Sequence, residues 1–184
     1  MSRINYLQIP GFAALYVLTT FTSAFLGFLA PWAWVFFPLV AALFGALSYY
    51  CAAIRWKKFG VGTLLAAVLA AFLLAVGECD LSKALLMLLA GVISDVVRQL
   101  IGHTTLRGQS LAYPILSIGV IAWILPLWTR TEWYYQGATE EIGVDYANGL
   151  MTFASPWWLV AVILTTAVAG HVGIRFASKV FKPR

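Results

Sequence analysis

The stretch LVAALFGALSYYCAAIRWKK, Leu39–Lys58, decides the fold class of this chain. It stays apolar up to Ile54 and then ends in a cluster of bases, Arg55, Lys57 and Lys58. A strand does not continue this far without a turn signal, so the pattern predicts a helix. With the apolar residues before it, the helix is long enough to cross a hydrocarbon core, which needs roughly 20 residues. The bases then mark the cytoplasmic end of a membrane span.

The composition of the whole chain agrees with that reading. Of 184 residues, 62% are hydrophobic and 10% are charged, whereas a soluble domain carries about a quarter charged residues. The net charge of +5 lies at segment ends, where it fixes orientation, and we expect no nucleic-acid partner. Two cysteines do not indicate a disulfide framework. We expect a single transmembrane domain over residues 1–184, without a linker, in the inner or plasma membrane.

Six apolar segments divide the chain, and each is long enough to be read as a helix. They cover residues of about 9–30, 32–54, 60–77, 84–101, 111–128 and 157–177. The first is too long for the core of a signal peptide, so we expect it to be retained. The sequence predicts an all-α, six-helix membrane bundle.

The basic residues give the orientation of the bundle. With both termini in the cytoplasm, the inner side holds most of the bases: Arg3, Arg55, Lys57, Lys58, Arg98, Arg107, Arg175, Lys179, Lys182 and Arg184. Lys83 and Arg130 remain outside. This asymmetry follows the positive-inside rule, so cytoplasmic N- and C-termini are predicted.

The predicted outer face carries most of the unusual sequence. Six of the eight tryptophans and most acids fall there. The segment PWAWVFFP, Pro31–Pro38, is expected to bend rather than run straight. In the long loop 129–155, Thr139 followed by two glutamates predicts the start of a short amphipathic helix. That helix is either a surface decoration or a lid over a site.

The chain carries no recognisable catalytic or nucleotide-binding motif, so we expect no enzyme. An elaborate outer face without an energy source suggests a binding subunit that relies on a partner. Asp95 and Arg98 share a helix face and form either a structural ion pair or a partner contact. Thr19, Ser23 and Gly27 form a face of small residues that packs inside the bundle or docks a second membrane protein.

The sequence resembles the substrate-binding membrane subunits (S components) of energy-coupling factor transporters, and more narrowly the Trep_Strep family of small integral membrane proteins. The likeness is carried by KKFGVGTLLAAVLAAFLL from Lys57, LLAGVISDVV from Leu88, AYPILSIGVIAWILPLW from Ala112 and EEIGVDYANGLMTFASPWWLVAVILTTAVAGHVG from Glu140. With the six-segment layout it covers nearly the whole chain.

The resemblance implies a six-helix S-component bundle that binds a vitamin or other micronutrient near the outer face. The substrate would lie under the loops joining segments one to two and five to six. A membrane T component and two cytoplasmic ATPases would supply the energy. The nearest match to the family's docking face on the first helix is Thr19, Ser23 and Gly27, although it departs from the usual alanine pattern.

Cys79, within GECD, is the only thiol expected near that outer site. A thiolate is a soft ligand for cobalt or iron, so one hypothesis makes Cys79 an axial ligand to the metal of a cobalamin-like or haem-like substrate. No intrinsic cofactor is expected; the metal would arrive with the substrate. The other reading is an ordinary loop cysteine. For either substrate the candidate site residues are Trp32, Trp34, Phe37, Glu78, Cys79, Asp80, Trp128, Arg130, Trp133, Tyr134, Tyr135, Tyr146 and Trp157.

Other functions stay open at the level of sequence. A small heteroaromatic vitamin could stack on the outer tryptophans, with Arg130, Glu132 or Asn148 holding its polar edge. A small membrane enzyme, an accessory subunit without a ligand, and a facilitator that works without ATPases are further alternatives.

Overall fold

The computed structural model describes residues 8–181, and the secondary structure found there is helical. Four helical segments are long and apolar enough to cross a membrane. They are α1 (Ile9–Ala24), continued by a 3-10 turn to Phe28, α2 (Pro31–Arg55), α4 (Leu81–Ile101) and α9 (Pro156–Val180). The chain is thus a helical protein with four candidate membrane spans. The predicted cytoplasmic termini, together with Arg3, Lys182 and Arg184, lie outside the described residues.

The other two apolar segments also form helices, but shorter ones. Helix α3 spans Val61–Ala75, and α5 spans Leu106–Gly119 before it tightens into a 3-10 turn, Val120–Trp123. Three short helices follow: α6 (Pro126–Thr129), α7 (Thr131–Glu141) and α8 (Val144–Met151). We call α7 and α8 together the cap.

The four long helices and the two shorter ones, α3 and α5, form a closed ring around the core. Helix α1 packs between α2 and α3, α4 packs between α3 and α5, and α9 closes the ring between α5 and α2. Helices α2 and α5 also touch across the middle, where the Tyr113 hydroxyl donates to the Ala42 carbonyl at 2.9 Å. Many side chains on the outside of the ring are apolar and exposed, as expected of a surface that meets lipid.

Glycines let α3 and α4 approach closely. A Cβ added at Gly91 would lie 2.8 Å from the Gly62 carbonyl oxygen and 2.7 Å from the Ala66 Cβ. Small residues at such crossings are the usual way in which membrane helices pack backbone against backbone. The α3–α4 pair therefore depends on these two glycines.

Asp95 and Arg98 lie at this crossing as a buried ion pair. The Arg98 Nε is 4.0 Å from the Asp95 Oδ1, and both side chains are almost fully buried. Asp95 also accepts the backbone N–H groups of Gly62 and Thr63 at 2.9 and 2.8 Å and the Thr63 hydroxyl at 2.8 Å. The carboxylate thus caps the N-terminus of α3, where a negative charge is favoured. Arg98 in turn donates to the Lys58 carbonyl in the preceding loop.

The segment Pro31–Pro38 forms the first turns of α2. Pro31 lies at the helix start, where proline is well tolerated, and Pro38 lies inside the helix. One local prediction is wrong. Thr139 does not begin a helix: Thr139 to Glu141 end α7, and the chain breaks at Gly143 before α8. Gly143 has φ of +128°, a conformation that strongly favours glycine.

Candidate functional site

A cavity of about 510 Å³ lies between the bundle and the cap. Its walls come from the C-terminal end of α1, the loop between α3 and α4, the N-terminal ends of α2 and α4, and the turn that ends α5. Both cap helices contribute to it. All of these segments meet at one end of the ring, which we call the cavity end.

Aromatic rings form the inner wall of the cavity. Trp123 is the centre of this group, because its ring lies 5.9 Å from that of Trp34, 5.3 Å from Phe37 and 6.2 Å from Phe21 between centroids. Phe37 is fully buried behind the wall. Trp34 and Phe37 meet Trp123 edge to face, and Phe21 stacks on it; such pairs hold one another in preferred orientations. The wall is therefore a preformed aromatic surface.

Two hydrogen bonds fasten the cap to the bundle beside the cavity. The Trp34 indole N–H donates to the Tyr134 hydroxyl at 2.5 Å, joining α2 to α7. The Tyr146 hydroxyl donates to the Gly27 carbonyl at 2.6 Å, joining α8 to the end of α1. All four residues line the cavity, so opening the cap would break bonds at the cavity wall itself.

Burial affects the two cap tyrosines that bond to the bundle, Tyr134 and Tyr146. It raises the pKa of the Tyr134 phenol, against the effect of the Trp34 N–H, and it raises the pKa of Tyr146 to about 12. Tyr134 already accepts from Trp34. Its own proton therefore remains for donation to another acceptor.

The charged groups of the cavity are two carboxylates and one ammonium, from Glu78, Glu141 and Lys83. The Trp123 indole N–H holds the Glu78 carboxylate at 3.3 Å beside the aromatic wall. Lys83, 14% exposed, lies 3.9 Å from the carboxylate of Asp80. Within residues 8–181, Glu78 and Glu141 have no ion-pair partner.

The structure brings five of the predicted site residues into the cavity wall: Trp34, Glu78, Trp133, Tyr134 and Tyr146. It places the others elsewhere. Trp32 and Trp157 are 61% and 81% exposed on the outside, and Arg130 is exposed at the start of α7. Trp128 donates to the Phe153 carbonyl, and Tyr135 to the Asn148 side chain.

Cys79 and Asp80 also lie outside the cavity wall. The Cys79 side chain is buried, and its Sγ donates to the Asp80 carbonyl at 3.2 Å. Burial raises the pKa of this thiol, which Lys83 opposes. Asp80 is the N-cap of α4, and its pKa is lowered by the Ser82 hydroxyl and by the Lys83 backbone N–H. In the described part of the chain, no three His, Cys, Asp or Glu residues are grouped as a metal site.

Two of the three residues on the small-residue face of α1 pack inward. Ser23 and Gly27 are buried, and a Cβ at Gly27 would lie 2.5 Å from the Trp34 ring. Thr19 is partly buried and donates to the Leu15 carbonyl. Of the two alternatives for this face, the structure supports packing inside the bundle. Gly27 also lines the cavity.

Several lining residues were missed at the level of sequence. They are Phe21, Ala24, Phe25, Phe28, Gly77, Lys83, Trp123, Gly137, Ala138, Glu141, Ile142 and Leu150. Five of them lie in apolar helices or the 3-10 turns that end them, where sequence alone does not show which face turns toward a cavity: Phe21, Ala24, Phe25, Phe28 and Trp123. Lys83 offered a signal, since it is one of only two bases expected at the outer face.

Comparison with known families identifies the class of protein. A family described as "Hypothetical bacterial integral membrane protein (Trep_Strep)" matches residues 6–183. The chain belongs to the Trep_Strep family. As the sequence and the four apolar helices indicate, this member is a multi-pass membrane protein. No curated protein and no solved structure was found to match it.

Proposed function

We propose that this Trep_Strep protein is the substrate-binding subunit, an S component, of an energy-coupling factor importer. The observation that carries the proposal is the aromatic cavity beneath the cap. Its volume of about 510 Å³ lies within the range of roughly 300–1,000 Å³ that small-molecule sites occupy. Its wall combines apolar rings with a few polar groups, as such sites do.

The rest of the architecture fits the same role. In the proposal all six helices of the ring cross the membrane, both termini are cytoplasmic, and the cavity end faces outward. The bases at the opposite end, such as Arg55 and Lys58, then follow the positive-inside rule. A T component and two ATPases supply the energy for import. Because Ser23 and Gly27 are buried, the proposal places the docking surface elsewhere on the bundle.

A small heteroaromatic vitamin suits this cavity better than a metal tetrapyrrole bound through Cys79. The rings of Trp34, Trp123 and Tyr134 offer stacking surface to a planar molecule. Cys79 is outside the wall, and its thiol is buried and already engaged. A ligand bond from Cys79 would therefore require the loop before α4 to rearrange.

Thermal unfolding against a panel of heteroaromatic vitamins, cobalamin and haem tests the proposal. A ligand at one hundred times its Kd stabilises the folded state by about 2.7 kcal/mol, which raises Tm by about 5–10 °C for a chain of this size. Gly137 lines the cavity, and a Cβ there meets nothing within 4 Å. Gly137→Phe should thus fill the cavity and abolish the shift.

Gly11→Phe is the matched control, because a Cβ at Gly11 also meets nothing within 4 Å and Gly11 lies outside the cavity wall. It should keep the full ligand shift. A panel that never stabilises the wild-type protein would contradict the proposal and favour an accessory subunit. If the absorption band of cobalamin or haem shifts on binding and this shift is lost in Cys79→Ser, the substrate is a metal tetrapyrrole with Cys79 as its ligand.

A further inference from the structure

The charges around the cavity point to the class of substrate, and this inference rests on the proposed function of the cavity. We propose that the cavity binds a small aromatic organic cation. Three features support it: the wall of rings, the two carboxylates without ion-pair partners within residues 8–181, and the excess of acids on the segments at the cavity end.

The carboxylates of Glu78 and Glu141 are the unbalanced charges of the site. Both line the cavity, and neither has an ion-pair partner within residues 8–181. The single lining base, Lys83, has its own counter-ion, since its Nζ is 3.9 Å from the Asp80 carboxylate. A bound anion would meet two carboxylates without a free cation, whereas a bound cation would neutralise them.

The aromatic wall favours a cation for a separate reason. A cation over the face of a tryptophan or tyrosine is attracted by the ring quadrupole, and the attraction grows when water is excluded. The indole N–H of Trp123 holds the Glu78 carboxylate beside this wall at 3.3 Å. A cation on the wall therefore meets ring faces and a fixed negative charge together.

The protein surface around the cavity carries an excess of negative charge, which also favours a cation. The cap and the loop before α4 carry six acids, and two bases lie next to these segments, Lys83 at the start of α4 and Arg130 just before α7. The acids are Glu78, Asp80, Glu132, Glu140, Glu141 and Asp145. A cleft rimmed by charges of one sign raises the local concentration of the oppositely charged ligand. The negative charge around the cavity thus attracts cations and repels anions before the ligand contacts the wall.

Three neutral hydrogen-bond donors of the wall are already engaged. The indole N–H groups of Trp34 and Trp123 and the Tyr146 hydroxyl have acceptors within the protein. The phenol proton of Tyr134 and the indole N–H of the more exposed Trp133 have no acceptor within residues 8–181. These two neutral donors can hold a carbonyl or ring nitrogen of the ligand and so orient it.

Three probes of nearly identical shape separate charge from stacking. They are 1-methylnicotinamide, which is a cation, the uncharged 3-methylbenzamide, and the anion 3-methylbenzoate. Each is titrated calorimetrically into the full chain in nanodiscs of uncharged zwitterionic lipid. We expect the cation to bind at least about tenfold more tightly than the uncharged probe, and the anion to bind most weakly.

Charge variants assign the preference to named residues. Glu78→Gln and Glu141→Gln should each weaken binding of the cation about fivefold and leave the uncharged probe unchanged. Glu140→Gln is the matched control, because Glu140 is exposed and outside the cavity wall, and it should change binding less than about twofold. Lys83→Met should strengthen binding of the cation about threefold.

The outcomes that overturn the proposal are distinct. Equal affinity for all three probes would show that stacking alone selects the ligand. Tightest binding of 3-methylbenzoate, lost in Lys83→Met, would assign the site to an anion. Both results would leave the proposed function standing. Failure of every probe and of the whole vitamin panel would remove the cation class and the proposed function together.

Discussion

Replacing Asp95 by alanine tests whether the buried ion pair holds α3 and α4 together. The substitution removes three hydrogen bonds of 2.8–2.9 Å to Gly62 and Thr63. It also leaves the Arg98 guanidinium, which is 1% exposed, without its counter-ion. Removing one partner of a buried pair costs about 3–5 kcal/mol, so we expect Asp95→Ala to lower the free energy of unfolding by that amount.

Equilibrium unfolding in mixed micelles with increasing sodium dodecyl sulfate measures the loss. The double variant Asp95→Ala/Arg98→Met leaves no uncompensated charge, and we expect it to recover about 2 kcal/mol of the loss. The exposed neighbour Gln99 provides the control, since Gln99→Ala should stay within about 0.5 kcal/mol of wild type. A loss below about 1 kcal/mol, or a double variant no more stable than Asp95→Ala, would refute a buried, energetically coupled pair.

Three further changes test the cap and the helix ends. Tyr146→Phe removes the 2.6 Å hydrogen bond to the Gly27 carbonyl. The rate of ligand dissociation, measured by surface plasmon resonance, should rise about fivefold. An unchanged rate would mean that this hydrogen bond does not hold the cap closed. Asp80→Ala should cost about 1 kcal/mol in unfolding measurements, while Asp80→Asn keeps the N-cap. Because the pKa of Asp80 is lowered in the folded protein, its contribution to the free energy of unfolding is complete above about pH 4 and fades as the pH falls through the folded pKa. Equal losses of stability in Asp80→Ala and Asp80→Asn would contradict capping. Gly143→Ala should destabilise the protein by about 1–3 kcal/mol, because φ at Gly143 is +128°. Gly137→Ala, within helix α7, should leave the free energy of unfolding unchanged. Equal effects of the two substitutions would show that alanine is not strained at position 143.

The sequence predicted the helices well because a membrane requires long apolar runs. The apolar run Leu39–Ile54 fell within one helix, α2, which ends at Arg55 where the cluster of bases begins. The shortness of α3 and α5 was not predicted, since apolarity alone does not show where a helix tightens or ends. Within α7, Thr139 and the two glutamates imitate a helix start. The glycine at position 143 was the better signal, because it commonly follows a helix end.

The candidate site was predicted where residues lie at helix ends and missed where they lie on helix faces. Trp34 and Tyr134 were expected near the outer face and do line the cavity. Phe21 and Trp123 were not expected, since their orientation depends on how α1 and α5 pack against α2 and α3. Cys79 was chosen for its chemistry, but side-chain direction decides whether a thiol reaches a cavity. The α3–α4 loop turns it into the core.

The measurement that tests the central claim most directly is mass spectrometry of small molecules that the protein retains through purification. Wild type, Gly137→Phe and Gly11→Phe would be purified in parallel from cells, incubated with the low-mass fraction of a cell extract, washed and denatured to release their ligands. The account predicts one dominant planar, heteroaromatic molecule, retained by wild type and Gly11→Phe and absent from Gly137→Phe. Retention of the same molecule by all three proteins would place binding outside the cavity beneath the cap and contradict the account.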